Sequence, residues 1–125
     1  MPRVVHFEIP SDDPERAVRF YSELFGWEFQ KWEGPMDYWL VTTGNKDEPG
    51  INGGLMARQD ASQGVTNVVD VPSVDEYLAR AEAAGGSVVV PKMPVPGVGW
   101  VAYVADPDGN VTGMMQEDPS AGGGA

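Results

Sequence analysis

The first residues of this chain that could do chemistry are His6 and Glu8, which lie two positions apart. They fall in an alternating run of apolar and polar residues, so a strand would place both on one face and Phe7 and Ile9 on the other. His6 could move protons, because the ordinary pKa of an imidazole is about 6.5, or it could simply hold a neighbour or ligand by a hydrogen bond. Glu8 is either an anion that binds a cationic group or a rim residue facing water.

A helix is predicted to follow this strand and to cover its apolar face. Asp12 or Asp13 is the expected N-cap, and Pro14 is the first helical residue, where a missing N–H is tolerated. Gly26 is the expected C-terminal stop. The apolar residues of the segment form one helical stripe, which consists of Ala17, Phe20, Tyr21 and Leu24.

The same order of elements returns after an offset of 60 residues. Asp13 then coincides with Ser73 as an N-cap, and Gly26 coincides with Gly86 behind a second helix. The pattern predicts an α+β protein in which residues 1–117 form a single domain of two βαβββ modules, 3–58 and 64–117. Residues 118–125 are predicted to be a disordered tail.

Composition limits the classes of partner. The 125 residues are enough for one domain, and the net charge of −11, from 8 basic and 19 acidic residues, repels nucleic acid and anionic lipid. The absence of cysteine removes disulfides, thiolate metal ligands and cysteine nucleophiles. Without an apolar run of spanning length or a basic leader, the expected location is the cytoplasm, with a small molecule as partner rather than nucleic acid or a membrane.

Two further segments contain turn-forming residues. The segment 91–99, with three prolines, is predicted to be a loop that either covers a site or is a passive connection. The run Asp106-Pro107-Asp108-Gly109 is predicted to be a tight turn rather than a catalytic pair of carboxylates.

These pieces together resemble the vicinal oxygen chelate superfamily, which includes glyoxalase I, extradiol dioxygenases and bleomycin-resistance proteins. The matching features are the opening strand with His6, the Asp-rich cap, the Phe25-Gly26-Trp27 segment, the Ala84-Gly85-Gly86 helix end and the Asp106 to Asn110 turn. The resemblance implies that the two modules form a curved, cup-shaped mixed sheet with helices on its outer face. It also implies a homodimer and a ligand held inside the cup.

The resemblance also locates the positions of a metal site. In metal-using members four residues inside the cup are ligands, and these positions correspond here to His6, Gly54, Thr66 and Gly113. Three of the four cannot supply the required side chain, and a divalent ion needs about three protein ligands. No metal or other cofactor is therefore expected, and the two glycines are expected to widen the cup.

Strand alternation and the resemblance extend the candidate ligand-binding residues. Alternation adds Asn52 and Met56 beside Gly54, Val68 after Thr66, and Met115 beside Gly113. The resemblance implies that Val101 and Tyr103 also face inward. Among the tryptophans, Trp39 and Trp100 are preferred as ligand contacts, although filling gaps in the core is the common role of such residues.

Two functions are compatible with this set of residues. The first is a metal-independent binding protein of the glyoxalase/bleomycin-resistance type, which sequesters a hydrophobic or aromatic ligand, cationic ones included, such as a natural product or antibiotic. The alternative is a lyase, isomerase or dioxygenase-type enzyme that acts through His6 and Glu8 or Tyr103. The incomplete set of metal ligands favours binding.

Overall fold

The chain folds into two βαβββ modules in a computed structural model that describes residues 1–34 and 36–122. The first module contains β1 (Arg3–Ser11), α1 (Pro14–Phe25), β2 (Glu28–Lys31), β3 (Tyr38–Thr42) and β4 (Asn52–Ala57). The second contains β5 (Thr66–Asp70), α2 (Val74–Ala83), β6 (Ser87–Val95), β7 (Gly99–Ala105) and β8 (Val111–Glu117). The predicted α+β class and the repeated order of elements are confirmed. Within the described ranges, no helix is long and apolar enough to cross a membrane.

Both modules use the same strand arrangement. The strand order is β2-β3-β4-β1 in the first module and β6-β7-β8-β5 in the second. In each, the first and last strands pair in parallel and the remaining pairs are antiparallel. By their contacts the residues form two compact units, Val5–Thr66 and Met1–Val4 with the chain from Asn67 onward.

Helix α1 begins and ends at the predicted residues. The Asp13 carboxylate accepts a hydrogen bond from the backbone N–H of Arg16 at 3.2 Å, and Gly26 ends the helix at φ 73°, a left-handed conformation that suits glycine. The predicted apolar stripe is only partly correct. Ala17 and Tyr21 pack on the core as predicted, but Phe20 and Leu24 each remain 56% exposed. Val18, which lies outside the predicted stripe, also packs on the core.

Each module has its own core between its helix and one face of its sheet. In the first module Ile9, Val41 and Leu55 form its centre. In the second module the centre consists of the buried residues Val71, Val74, Ala102 and Met114, and Tyr77 packs against them. The sheet face opposite the helix, called here the helix-free face of each module, carries the alternate residues.

The predicted loop over 91–99 is wrong for most of its length. Strand β6 continues through Pro91 and Pro94 to Val95, and β7 already begins at Gly99. Among the described strand pairings, β6 pairs only with β7, so it is an edge strand, where a missing N–H is tolerated. Register shifts between Val88 and Met93 accommodate the irregular stretch.

The end of the described chain is also more ordered than predicted. Asp118 accepts a hydrogen bond from the indole Nε1–H of Trp100 at 3.0 Å. Ala121 is fully buried, and its carbonyl accepts from the backbone N–H of Gly97 at 3.1 Å. The predicted disordered tail over 118–125 is therefore wrong for 118–122, and residues 123–125 lie outside the described part of the chain.

The turn before the last strand has the predicted form. The Asp106 carboxylate accepts hydrogen bonds from the backbone N–H and the side-chain amide of Asn110, at 2.9 and 3.1 Å, and from the backbone N–H of Asp108 at 2.9 Å. These bonds, those of Asn110 above all, lower the pKa of Asp106. Gly109 has a φ of 88°. Asp106 thus stabilises the turn through its own hydrogen bonds, as its sequence indicated.

Phe7 of β1 lies directly beside Gly53 of β4 and leaves no room for a side chain there. A side chain at Gly53 would overlap the ring and the carbonyl oxygen of Phe7. We expect Gly53→Ala to lower the free energy of unfolding by about 1–3 kcal/mol, because the backbone must shift to admit the methyl group. Gly64→Ala is the control, since nothing lies within 4 Å of its added Cβ. Urea unfolding of both variants measures the difference, and equal stabilities would contradict the packing described.

Candidate functional site

The helix-free face of the first module contains a hydrogen-bonded set of three side chains. The Nε2 atom of His6 lies 2.9 Å from the Tyr38 hydroxyl oxygen. The Tyr38 hydroxyl donates a longer hydrogen bond, 3.5 Å, to the Glu8 carboxylate. The tyrosine therefore joins the imidazole and the carboxylate that the sequence places on the same strand face.

Strand pairing explains why these three residues meet. In the parallel pairing of β1 with β4, His6 lies beside Asn52 and Glu8 beside Gly54. In the antiparallel pairing of β3 with β4, Tyr38 lies beside Met56. Residues at these paired positions share one sheet face, opposite Ile9 and Leu55 of the core.

The Tyr38 side chain fills the space above Gly54. A Cβ placed at residue 54 would overlap the tyrosine hydroxyl and its ring. Glycine at this position is therefore what allows the hydroxyl to approach the backbone and reach His6. The expectation that Gly54 widens the cavity is wrong, because an aromatic ring from the neighbouring strand occupies that volume.

Trp32 supports Tyr38 from the adjacent strand end. The two rings meet edge to face, with centroids 6.2 Å apart and an interplanar angle of 77°. The backbone N–H of Trp32 also donates to the Tyr38 carbonyl at 2.7 Å. Trp32 is therefore the tryptophan of the first module that lies against the hydrogen-bonded set.

Burial sets the protonation states of the site. Burial lowers the pKa of His6 below 6.5, so its imidazole is neutral at neutral pH. Burial also raises the pKa of Tyr38 well above its usual value, and the charge and hydrogen bond of Glu8 add to this effect. The phenol keeps its proton. When that proton is donated to Glu8, the hydrogen bond between His6 and Tyr38 must use an Nε2–H of His6.

The four family metal positions do not fit a metal ion. His6 is bonded to Tyr38, and Gly54 lies under the tyrosine ring. Thr66 donates its hydroxyl to the carbonyl of Gly64 at 3.2 Å. Gly113 offers no donor atom on a side chain. In the ranges 1–34 and 36–122, no cluster of three or more His, Cys, Asp or Glu residues could hold an ion.

The second module repeats the packing of an aromatic ring on a glycine. Gly113 pairs with Tyr103 on β7 and with Val68 on β5. A Cβ at residue 113 would lie 3.0 Å from the Tyr103 ring and 3.1 Å from the Val68 side chain. Val101 and Met115 pair with each other on the same helix-free face. Here too the glycine leaves no widened space, although the expected grouping of these residues is present.

Two of the remaining candidates have other contacts. Asn52 accepts a hydrogen bond from the backbone N–H of Thr43 at 2.9 Å, so its side chain connects the end of β3 to the start of β4. Met56 is half-buried beside Tyr38 and stays available as an apolar contact.

Both preferred tryptophans lie on the opposite sheet faces. Trp39 packs on the core of the first module, and Trp100 packs on the core of the second. Trp39 follows Tyr38 in β3, and Trp100 precedes Val101 in β7. Because successive residues of a strand point to opposite faces, and Tyr38 and Val101 lie on the helix-free faces, both tryptophan rings point toward the helix side. Trp39 and Trp100 therefore lie apart from the hydrogen-bonded set on the helix-free face, and their role as ligand contacts stays a prediction.

Sequence reasoning missed Tyr38 and Trp32. A signal for Tyr38 was present, because residues 38 and 56 share a face if β3 and β4 pair through a hairpin. The register of that pairing depends on the connection between residues 43 and 51, which contains no two-residue turn signature. Without the register, the partner of His6 could not be named.

Comparison with known proteins assigns the class. Residues 3–113 match the Glyoxalase/Bleomycin resistance protein/Dioxygenase superfamily. The chain belongs to this superfamily, as the opening strand, helix ends and final turn indicated.

Individual relatives are distant. CFP32 of Mycobacterium tuberculosis, a protein named as a glyoxylase, is 28% identical over 118 residues, which are 90% of this chain and 43% of CFP32. This chain therefore spans less than half the length of that relative. The methylmalonyl-CoA epimerase of M. tuberculosis has the same fold, with a TM-score of 0.68, 17% identity and coverage of 93% of this chain and 88% of the epimerase. A superfamily member from Vibrio splendidus matches with a TM-score of 0.65, 19% identity and coverage of 94% and 100%.

The burial of His6 predicts how stability depends on pH. Because the pKa of His6 is below 6.5 in the folded protein, the unfolded chain binds more protons as the pH falls through 6.5. We expect the contribution of His6 to the free energy of unfolding to be fully present above this pH and to be lost below it. Urea unfolding of the wild type and of His6→Gln at several pH values isolates the effect. NMR of the single imidazole gives its midpoint directly, and a midpoint above 6.5 would contradict the burial.

The packing of Tyr38 on Gly54 gives a second prediction for the site. We expect Gly54→Ala to displace the tyrosine, to break its hydrogen bond with His6, and to lower the free energy of unfolding by about 1–3 kcal/mol. The His6 ring resonances should move in Gly54→Ala and stay unchanged in the control Gly64→Ala. Unchanged His6 resonances in both variants would show that Tyr38 does not lie above Gly54.

Proposed function

We propose that this protein is a metal-independent small-molecule-binding protein of the glyoxalase/bleomycin-resistance type. It sequesters a hydrophobic or aromatic ligand on the helix-free face of the first module, which carries His6, and the helix-free face that carries Tyr103 is proposed as the binding surface of the second module. The observation that carries this proposal is the position of Tyr38, whose hydroxyl joins His6 to Glu8 above Gly54. The Tyr38 phenol lies over Gly54, the position at which the resemblance implies a carboxylate in metal-using members. A phenol that keeps its proton is a poor ligand for a divalent ion.

The chemistry of the site matches an aromatic ligand with a polar group. Trp32, Tyr38 and Met56 offer apolar and aromatic contact area, while the neutral imidazole of His6 offers a hydrogen bond. Glu8 and the net charge of −11 favour a cationic group over an anionic one. The second module also offers proposed contacts. Thr66 lies at the start of β5, and the other contacts lie on the helix-free face of this module: Val68, Val101, Tyr103, Gly113 and Met115.

An enzymatic function is the second candidate, and one observation favours it. The imidazole of His6 is neutral and hydrogen-bonded to an orienting hydroxyl, which is the arrangement a general base needs. A lyase or isomerase step that removes a proton beside a carbonyl would use His6, with Glu8 as the second group. The alternative second group, Tyr103 of the second module, stays a prediction. The epimerase that shares this fold is named for a thioester substrate, so a coenzyme A thioester is the natural test compound.

The remaining functional expectations stay predictions. These are a cytoplasmic location, a role in antibiotic resistance, assembly as a homodimer, and the organisation of residues 1–117 as one domain.

Fluorescence titration tests the proposed binding. The probes are bleomycin and a matched pair of polycyclic aromatic dyes, one cationic and one neutral, added to protein freed of metal by chelation. We expect the cationic dye to bind and to quench tryptophan emission, and Trp32→Phe to remove most of this quenching. Trp39→Phe is the matched control, because Trp39 lies on the other face of the same sheet. We expect Glu8→Gln to weaken the cationic dye about tenfold, since a charge-assisted contact is lost.

Three outcomes would contradict the proposal. One is binding of none of the probes by the metal-free protein. Another is a stoichiometric divalent ion, found by elemental analysis of the protein as purified, that disappears in His6→Ala. The third is conversion of a coenzyme A thioester, detected as solvent deuterium incorporation that Tyr38→Phe and His6→Gln both reduce, which would support the enzyme instead.

A further inference from the structure

A hollow of about 330 Å³ lies on the helix side of the first module. It is bounded by the end of β1, by residues 16–21 of α1 and by Arg58, which follows β4. This volume is at the lower end of the range for small-molecule sites, so it suits a ligand with a single ring. Ile9 lines the hollow from the face of β1 opposite to His6 and Glu8, so the hollow is separate from the site described above.

One wall of the hollow is aromatic. Phe20 lines it with a side chain that is 56% exposed, and Tyr21 lines it from the next position of the helix. The two rings meet edge to face, with centroids 5.1 Å apart and an interplanar angle of 82°. Tyr21 also packs on the core of the module. The wall is therefore held in place, and it offers contact area to a flat apolar group.

Arg58 is a cation in the lining that is already held in position. Its Nε–H donates to the Asp12 carboxylate at 3.0 Å, its Nη1 atom donates to the Gln63 carbonyl, and its backbone N–H donates to the Ser11 carbonyl at 2.8 Å. Within residues 1–34 and 36–122, no hydrogen bond uses its Nη2 atom, which carries two N–H groups. A guanidinium that is already oriented loses little side-chain entropy when it binds an anion.

Two more hydrogen-bond donors in the lining lack an acceptor. Arg16 is exposed, and among the described residues its side chain forms no ion pair. Ser11 is only 8% exposed, and its hydroxyl oxygen accepts from the backbone N–H of Asp13 at 3.1 Å. In the described part of the chain, the Ser11 hydroxyl donates its own proton to no acceptor. A buried hydroxyl usually donates as well as accepts, so an acceptor inside the hollow would complete its hydrogen bonding.

From these features we infer that the hollow is a second small-molecule site, which binds a small aromatic monocarboxylate. The ring of the ligand lies against Phe20 and Ile9, and its carboxylate accepts from the two arginines and from Ser11. The charged residues of the lining are Arg16, Arg58 and Asp12, so the hollow has a net charge of one positive. This charge matches a carboxylate better than a phosphate dianion. The inference does not rest on the function proposed for the helix-free face.

An NMR titration of the isotope-labelled full chain with sodium benzoate tests this site. We expect a Kd on the order of 1 mM, as suits one ring in an open hollow, with the amide shifts concentrated in residues 9–21 and at Arg58. Acetate lacks the ring, and benzamide lacks the charge. Each should bind at least about tenfold more weakly than benzoate, because each loses one of the two kinds of contact.

Paired variants separate the two kinds of contact. Arg16→Gln should weaken benzoate about tenfold, because a charge-assisted contact is lost. Arg19→Gln is its matched control, since Arg19 is an exposed arginine of the same helix that does not line the hollow. Phe20→Ala should weaken benzoate about fivefold through the loss of the aromatic wall. Its control is Leu24→Ala, because Leu24 is also 56% exposed and lies outside the lining.

Several results would overturn the inference. One is a titration in which benzoate produces no saturable shifts, or in which benzamide binds as tightly as benzoate. Another is an equal loss of affinity in Arg16→Gln and Arg19→Gln, which would indicate attraction to the charge of the helix without a defined site. The last is binding that His6→Gln abolishes and Arg16→Gln leaves unchanged, because benzoate would then occupy the helix-free face. Failure of the dye titration at that face would leave the expected benzoate results unaltered.

Discussion

The close approach of the Tyr38 hydroxyl to the backbone of Gly54 determines the arrangement of the candidate site. Because residue 54 has no side chain, the Tyr38 side chain can lie over β4 and reach both His6 and Glu8 on β1. Burial and the nearby carboxylate then hold the proton on the phenol, and burial keeps the imidazole neutral. A single small residue thus sets the geometry and the protonation states of the polar groups on this face.

The sequence predicts the elements of the fold well where local chemistry decides them. Asp13, Ser73 and Gly26 have strong cap preferences, and the Asp106 turn contains its own hydrogen-bond acceptors, so tertiary structure has little to change. Strand β6 is harder to predict, because its prolines resemble those of a loop. Only its place at the edge of the sheet makes them compatible with a strand. That place is a tertiary property, which local sequence does not contain.

The candidate site was predictable only in part, for a related reason. His6 and Glu8 lie on one strand, so alternation alone put them on the same face. Tyr38 and Trp32 lie beside them only because of the register in which the strands pair. A shift of that register by one residue would move Tyr38 to the opposite face of the sheet. The same one-residue difference separates Trp39, which packs toward the helix, from Tyr38, which does not. Residue type favoured Trp39 as a ligand contact, but its position in the strand turns it toward the helix, and Tyr38 is the residue that contacts His6.

The contact between Trp100 and Asp118 has a practical consequence for work with the protein. The Trp100 indole donates a hydrogen bond to the Asp118 carboxylate, and the Lys92 Nζ atom lies 4.5 Å from the centre of the indole ring. Ala121, three residues after Asp118, is buried. Trimming the chain at residue 117 to obtain a shorter expression product would remove this anchor and uncover the side of β7. An affinity tag or fluorescent fusion is better attached after residue 122, so that the anchor is kept intact.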